Sequence, residues 1–351
     1  MSSAAGHVPA AAAAAPAKGY IVSPLYDGAF FVGAPVIAMA FTRALAASGS
    51  AWLAVFAIAF THAHLFLVFF RSHGNPEIFK LHRIRFVVVP FVLLAAIAWS
   101  PFTLALALVL ATWWDVYHSA QQTFGLARIY DRLAGNAPEA GRTLDRILNH
   151  VIYVGPIVGG ASFVAHLDSF DSFRHAGTAF FTEVPMHARA WHGWLALIAL
   201  AGGAAFLVVY VVSYARLIRQ GYRVSIQKVV LLASTAFTCI WLWGLEPGNA
   251  FVAVNIFHAL QYFALVAWTE RNTIPRPLKA ANTRWALPAA WLVLIVTGAI
   301  YGLWAARASK FDIGGAFEQL PLRLAFAATL TVSLLHFWYD GFIWSVRKKQ
   351  V

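Results

Sequence analysis

Ten apolar runs follow one another along this chain with mostly short connections between them, and that pattern leaves few folds open. A backbone in lipid must satisfy its own hydrogen bonds, so runs of about 20 apolar residues are read as membrane-crossing helices. They cover Ala29 to Ala47, Ala51 to Phe70, Phe86 to Trp99, Phe102 to Phe124 and Ile147 to Val164 in the first half. The second half supplies Trp191 to Tyr214, Val229 to Leu245, Phe251 to Trp268, Trp285 to Ala306 and Leu322 to Trp344. The third run is short and the fifth is polar. Composition points the same way: 60% of residues are apolar, 11% are charged, and the mean hydropathy of +0.67 lies outside the soluble range. The expected fold class is therefore all-α, a polytopic integral membrane protein of about ten transmembrane helices.

The formal charge of +12 would suit a nucleic-acid binder were it gathered on one surface. It is instead divided among alternate connections. Arg71, Lys80, Arg83 and Arg85 follow the second run, Arg128, Arg132, Arg142 and Arg146 the fourth, and Arg216, Arg219, Arg223 and Lys228 the sixth. Arg271, Arg276, Lys279 and Arg284 follow the eighth, and Arg347, Lys348 and Lys349 close the chain. The opposite connections are short and neutral, acidic or mixed, with Asp168, Asp171, Glu183, Glu246, Asp312 and Glu318. Positive connections stay inside, so both termini are expected in the cytoplasm and nucleic acid is excluded as a partner. The location expected is a multi-pass inner membrane of bacterial type. Residues 1–26 read as a disordered tail, 27–346 as one helical domain and 347–351 as a basic tail. An apolar signal core after a basic start is not seen in the first residues, so targeting falls to the first run. The single cysteine, Cys239, excludes an internal disulfide, a Cys-ligated zinc site and an iron–sulfur cluster.

Histidine in hydrocarbon is costly, and intramembrane ionisable groups point to function. His62 and His64, His118, His258 and His336 sit inside the second, fourth, eighth and tenth runs, each 9 to 13 residues before its basic anchor. At 1.5 Å per residue that is a shared depth of about 13 to 20 Å, so one metal site built from several helices is expected. His62 and His64 lie about 200° apart around a helix, and only one of them can face such a centre; greater depth favours His62. Two carboxylates stand within the runs at helical spacing from these histidines: Asp115 precedes His118 by three residues and Asp340 follows His336 by four. Each can be a ligand or can orient an imidazole. Asn255, His258 and Gln261 form a polar stripe, and Gln121 and Gln122 lie one turn beyond His118; these amides orient a ligand or tie helices together.

The remaining histidines carry less. His150 reads as a headgroup-level residue or an extra ligand, His73 and His82 as residues of an inner connection, and His166, His175, His187 and His192 as outer-side residues. His7 lies in the tail. A weak internal similarity aligns HSAQQTFGLARIYDR from His118 with HALQYFALVAWTER from His258, pairing Gln122 with Gln261 and Asp131 with Glu270.

Imidazole with carboxylate suits iron, with zinc or copper as alternatives. Aromatics such as Trp113, Trp114, Tyr117, Tyr262, Trp338, Tyr339 and Trp344 flank the polar residues and suit either a membrane belt or a tunnel for a lipid, isoprenoid or carotenoid-like substrate. HExxH, Walker and Rossmann patterns are absent, as are the paired histidine boxes of membrane desaturases. The segments HALQYFALVAW at His258 and HFWYDGFIW at His336, with His118 and the downstream Phe124–Gly125 pair, resemble the Brp/Blh family of membrane β-carotene 15,15'-dioxygenases. That resemblance implies a multi-helix histidine–iron oxygenase using O₂. The function expected is a non-haem iron oxygenase acting on a hydrophobic small molecule among membrane lipids, with Asp115, Asp340, Gln122 and Gln261 supporting the reaction. A zinc hydrolase of lipid amides, a proton-coupled transporter using the His/Asp pairs and a bis-histidine haem protein are the other readings.

Overall fold

Cap chemistry sets where the helices begin. Ser50, Asn75, Ser100 and Ser225 each accept from a backbone N–H of the first turn, and prolines 76 and 101 occupy the first helical position after two of them. Ser100 and Thr103 satisfy one another's backbone N–H groups reciprocally, at 3.2 and 3.0 Å. The computed structural model describes residues 19–160, 163–164, 167, 186–241, 247–308 and 313–344. Among these the chain is helical and holds no strand.

In chain order the helices are α1 (Pro24–Asp27), continued by a π-helical turn (Gly28–Val32), α2 (Ala34–Ser48), α3 (Ala51–Phe66), α4 (Val68–Ser72), α5 (Pro76–Ala98) and α6 (Pro101–Leu133). There follow α7 (Arg142–Gly159), α8 (His192–Arg219), α9 (Ile226–Cys239), α10 (Pro247–Thr269), α11 (Ala286–Ala308), α12 (Ile313–Glu318) and α13 (Leu320–Ile343). Each of the ten expected runs has a helical counterpart, but among the described residues length and composition qualify six helices to cross a membrane, or seven when the bent pair of residues 24–48 is one span. The others fall short for identifiable reasons: α6 and α7 carry charged and amide side chains along their length, and α9 has 14 residues. The third run is also longer than hydropathy implies. Asn75 caps α5 ten residues early, so Lys80, His82, Arg83 and Arg85 are helical, with a break at His82 (φ −131°, ψ 24°).

The helix α10 is the axis of the bundle, with 78% of its span buried, whereas α8 buries none of its residues. The α10 helix packs on α2, α3, α6 and α11, and α13 packs on α3, α5 and α6. The closest pair is α3 with α11, and small residues make it possible. A Cβ on Gly302 would overlap the Ala59 carbonyl, and one on Gly298 would stand 3.3 Å from Ala63. This fixes the height and rotation of α3, on which His64 is the next residue after Ala63.

Charged groups lock the basic end of the bundle. Arg128 and Lys228 face Asp131 and Asp145, two cations to two anions, all buried: Lys228 Nζ lies 2.8 Å from Asp131 Oδ2 and 2.7 Å from Asp145 Oδ2. Tyr210, Tyr214 and Tyr222 donate to these carboxylates. Burial and the Asp131 bond push the Tyr222 phenol above its ordinary pKa. Such a quartet is retained only when every lone pair is satisfied, and it ties α6, α7, α8 and α9 together. Within the stretch expected as a tail, residues 19–26 are described, and Asp27 accepts from the N–H groups of Ile21 and Val22 at 2.7 and 2.9 Å and from Tyr130 Oη at 2.9 Å. Those bonds pin residues 19–26 to α6. Residues 1–18 and 345–351, with His7, His166, His175 and the acidic outer connection, lie outside the described residues.

Candidate metal centre

Four helices deliver one imidazole each to one cluster: His64 from α3, His118 from α6, His258 from α10 and His336 from α13. None is more than 4% exposed. Nε2 of His336 lies 3.0 Å from Nε2 of His118, and Asp340 Oδ2 lies 3.6 Å from each. The His64 ring centroid is 5.0 Å from that of His258 and 5.1 Å from that of His336, and His118 is 4.9 Å from His258. Donor atoms of His64, His258 and His336 fall within 4.8 Å of one another, as do those of His118, His336 and Asp340. His336 belongs to both groups, so the five residues form one constellation.

The donor chemistry fits a cation. Two nitrogens each about 2.1 Å from one ion stand about 3.0 Å apart at a right angle and about 3.4 Å apart at the tetrahedral angle, and the His118–His336 separation matches. Nε2 of His64 and Nε2 of His258 are buried without any hydrogen-bond partner. A buried polar atom left so costs about 1–3 kcal/mol, and coordination would satisfy both. Oδ1 of Asp340 is already engaged, accepting from Tyr262 Oη at 2.9 Å and Trp344 Nε1 at 2.8 Å. The carboxylate is thereby oriented, and its other oxygen faces the histidines.

The pair His62/His64 resolves against depth. His64 enters the cluster, while His62 turns away and bonds through Nδ1 to the Ile58 carbonyl at 2.8 Å; the 200° separation allows only one of them inward, and the α3–α11 contact decides which. Asp115 is not in the cluster. Its carboxylate faces Asn255 at 3.5 Å. Gln122 and Gln261 bond to one another at 3.2 Å, Gln122 also to the His258 carbonyl at 3.0 Å and Gln261 to the Phe31 carbonyl at 2.8 Å. These amides therefore set the register of α6, α10 and the π-helical turn. Gln121 meets His150 Nε2 at 3.4 Å, and His150 also bonds the Arg146 carbonyl, outside the centre. Cys239 is buried and free.

Two contributors escape a reading of the sequence for ligands. Tyr262 lies four residues beyond His258 and Trp344 four beyond Asp340, a spacing that shares a helix face; both stand out only as aromatics until Asp340 is seen between them. Arg71 closes the far side, its guanidinium 4.1 Å from the Trp344 ring centroid and 2.5 Å from Glu270, which also accepts from Asn75. The internal similarity of α6 and α10 has a spatial counterpart. Each helix presents histidine to the centre, then the glutamine by which the two are bonded, then a buried acid at its basic end, Asp131 or Glu270.

A cavity of about 460 Å³ adjoins the centre, reaching His118, Tyr262 and Asp340 at its inner end. That volume is within the range of small-molecule sites. No protein-family model, curated protein or solved structure matches this chain, so its arrangement of residues stands on its own.

Proposed function

We propose that this chain is a membrane-embedded, non-haem iron oxygenase of a lipophilic substrate, with His64, His118, His258, His336 and Asp340 as the iron-binding residues. The observation that carries the reading is the meeting of four buried imidazoles from four separate helices, in two overlapping donor groups that share His336, with Asp340 beside His118 and His336. Four imidazoles and a carboxylate exceed the three protein ligands that catalytic zinc sites keep. A nitrogen and oxygen set without thiolate suits iron. The resemblance of the segments at His258 and His336 to the Brp/Blh dioxygenases supports the same metal and O₂ as co-substrate.

When bound, iron supplies the one-electron and dioxygen chemistry that protein side chains lack. The chain's own groups hold and enclose. Tyr262 and Trp344 keep Asp340 aimed, Gln122 fixes the His258 backbone, and the aromatic wall formed by Trp114, Phe124 and Phe337 keeps water from the apolar part of a substrate. The basic connections support a cavity mouth that faces the cytoplasm.

Elemental analysis of detergent-purified protein tests the reading. Wild type should carry about one iron per chain, and His118→Ala and His258→Ala should lose it. His64→Ala should lose it too, whereas His62→Ala should not. Zinc in place of iron, or unchanged metal in the His118 and His258 variants, refutes the proposal.

A further inference from the structure

The cavity beside the centre is polarised along its length. Its buried inner end is formed by His118, Asp340 and Tyr262 with Trp114 and Phe337 beside them, the next turn of α6 and α10 adds Phe124 and Leu265, and its exposed mouth carries Arg132, Arg142 and Arg146. From His118 to Arg132 along α6 is a rise of roughly 20 Å. One carboxylate, Glu139, lines the mouth. It lies 3.3 Å from Arg142 with both side chains exposed, and a pair of that kind contributes little. Arg146 lays its guanidinium over Phe124, 5.5 Å from the ring centroid, at the boundary between the aromatic wall and the mouth. Arg128 also lines the cavity, but Asp131 and Asp145 neutralise it together with Lys228. The buried quartet is thus balanced and the mouth keeps an excess of two positive charges.

The walls leave room for an occupant. Gly125 on α6 and Gly341 on α13 both line the cavity, and a Cβ built on either meets nothing within 4 Å. Alanine or leucine would be a better helix residue at position 125, so the glycine keeps space open at a cost in helix stability.

We infer that the ligand of this cavity is an anionic amphiphile, a long-chain molecule whose carboxylate or phosphate head is held by Arg142 and Arg146 and whose apolar body runs past Phe124 and Leu265 to the histidine centre and the aromatic rings of Trp114 and Phe337 beside it. The inference rests on the proposed metal site for what happens at the inner end, and on the cavity alone for what binds. Guanidinium pairs with a planar oxyanion through two parallel hydrogen bonds, and a basic mouth on an apolar slot selects charge at one end and chain length at the other. A neutral polyene or sterol would add no negative charge to a mouth with more arginines than carboxylates.

The test is equilibrium binding to purified full-length protein in neutral detergent, read by tryptophan fluorescence, with iron content measured on the same samples. The probes are oleate, dodecyl phosphate, oleyl alcohol and acetate. Oleate and dodecyl phosphate should bind, oleyl alcohol should bind at least tenfold more weakly, and acetate should not displace oleate. The double variant Arg142→Gln/Arg146→Gln should weaken oleate at least tenfold and leave oleyl alcohol and iron content unchanged. Gly125→Leu should abolish binding of both long chains while the iron and the thermal midpoint are retained. Equal binding of oleate and oleyl alcohol, displacement by acetate, or undiminished oleate binding in Gly125→Leu would each overturn the inference. Loss of iron from wild type with oleate binding intact would instead overturn the metal proposal alone.

Discussion

Tyr262→Phe removes one oxygen atom from the centre and nothing else. The ring, 4.6 Å from that of His336, stays in place, and Asp340 Oδ1 keeps its bond from Trp344. What is lost is a hydrogen bond of 2.9 Å to a carboxylate. Such bonds to a charged acceptor contribute about 1.5–3 kcal/mol. The bond counts in full only while Asp340 is ionised and faces a cation, so nearly all of it should appear as weaker metal binding. At about 1.4 kcal/mol per tenfold, affinity should fall roughly 10- to 150-fold, the range seen when the residues that orient metal ligands are removed. Competition against a chelator of known affinity measures it directly. Trp344→Phe should act alike, and because both donors share Oδ1 the two effects should not add. Binding within twofold of wild type in both single variants would mean that Asp340 is not oriented for a metal, and the reasoning fails.

Two further substitutions probe what positions the site. Lys228→Met leaves Asp131 and Asp145 buried with Arg128 as their one remaining cation, and removing one partner of a buried ion network costs about 3–5 kcal/mol; denaturation in detergent should show it, with Lys228→Met/Asp145→Asn recovering part, and a loss below about 1 kcal/mol would contradict the network's role. Gly302→Ala drives a methyl into the Ala59 carbonyl, which belongs to backbone and cannot swing aside. A penalty of about 1–3 kcal/mol is expected, together with reduced iron because α3 carries His64. Gly202→Ala on α8 meets no neighbour within 4 Å and should be neutral or stabilising by up to about 1 kcal/mol.

Membrane helices are legible in a sequence because the force that makes them is local: a run of about 20 apolar residues settles its own transfer into lipid whatever its neighbours do. The ten runs, the histidines inside them, the depth those histidines share and the i,i+4 tie of His336 to Asp340 all follow from the order of residues. Where α6 and α7 depart from that picture, the reason is tertiary, since the buried Asp131 and Asp145 share Arg128 of α6 and Lys228, which arrives from α9. Azimuth and adjacency are likewise set by contact. Depth in the second run favours His62, but Gly298 and Gly302 bring α11 against Ala59 and Ala63, and it is His64 that faces inward. Asp115 and Asp340 look equivalent along the chain, yet one meets Asn255 and the other Tyr262, Trp344 and two imidazoles. The sequence by itself determined an all-helical chain with histidines and acids at one level. Which of them meet was decided only by the tertiary structure, because rotation and neighbour choice depend on side-chain complementarity between segments as far apart as His118 and His336.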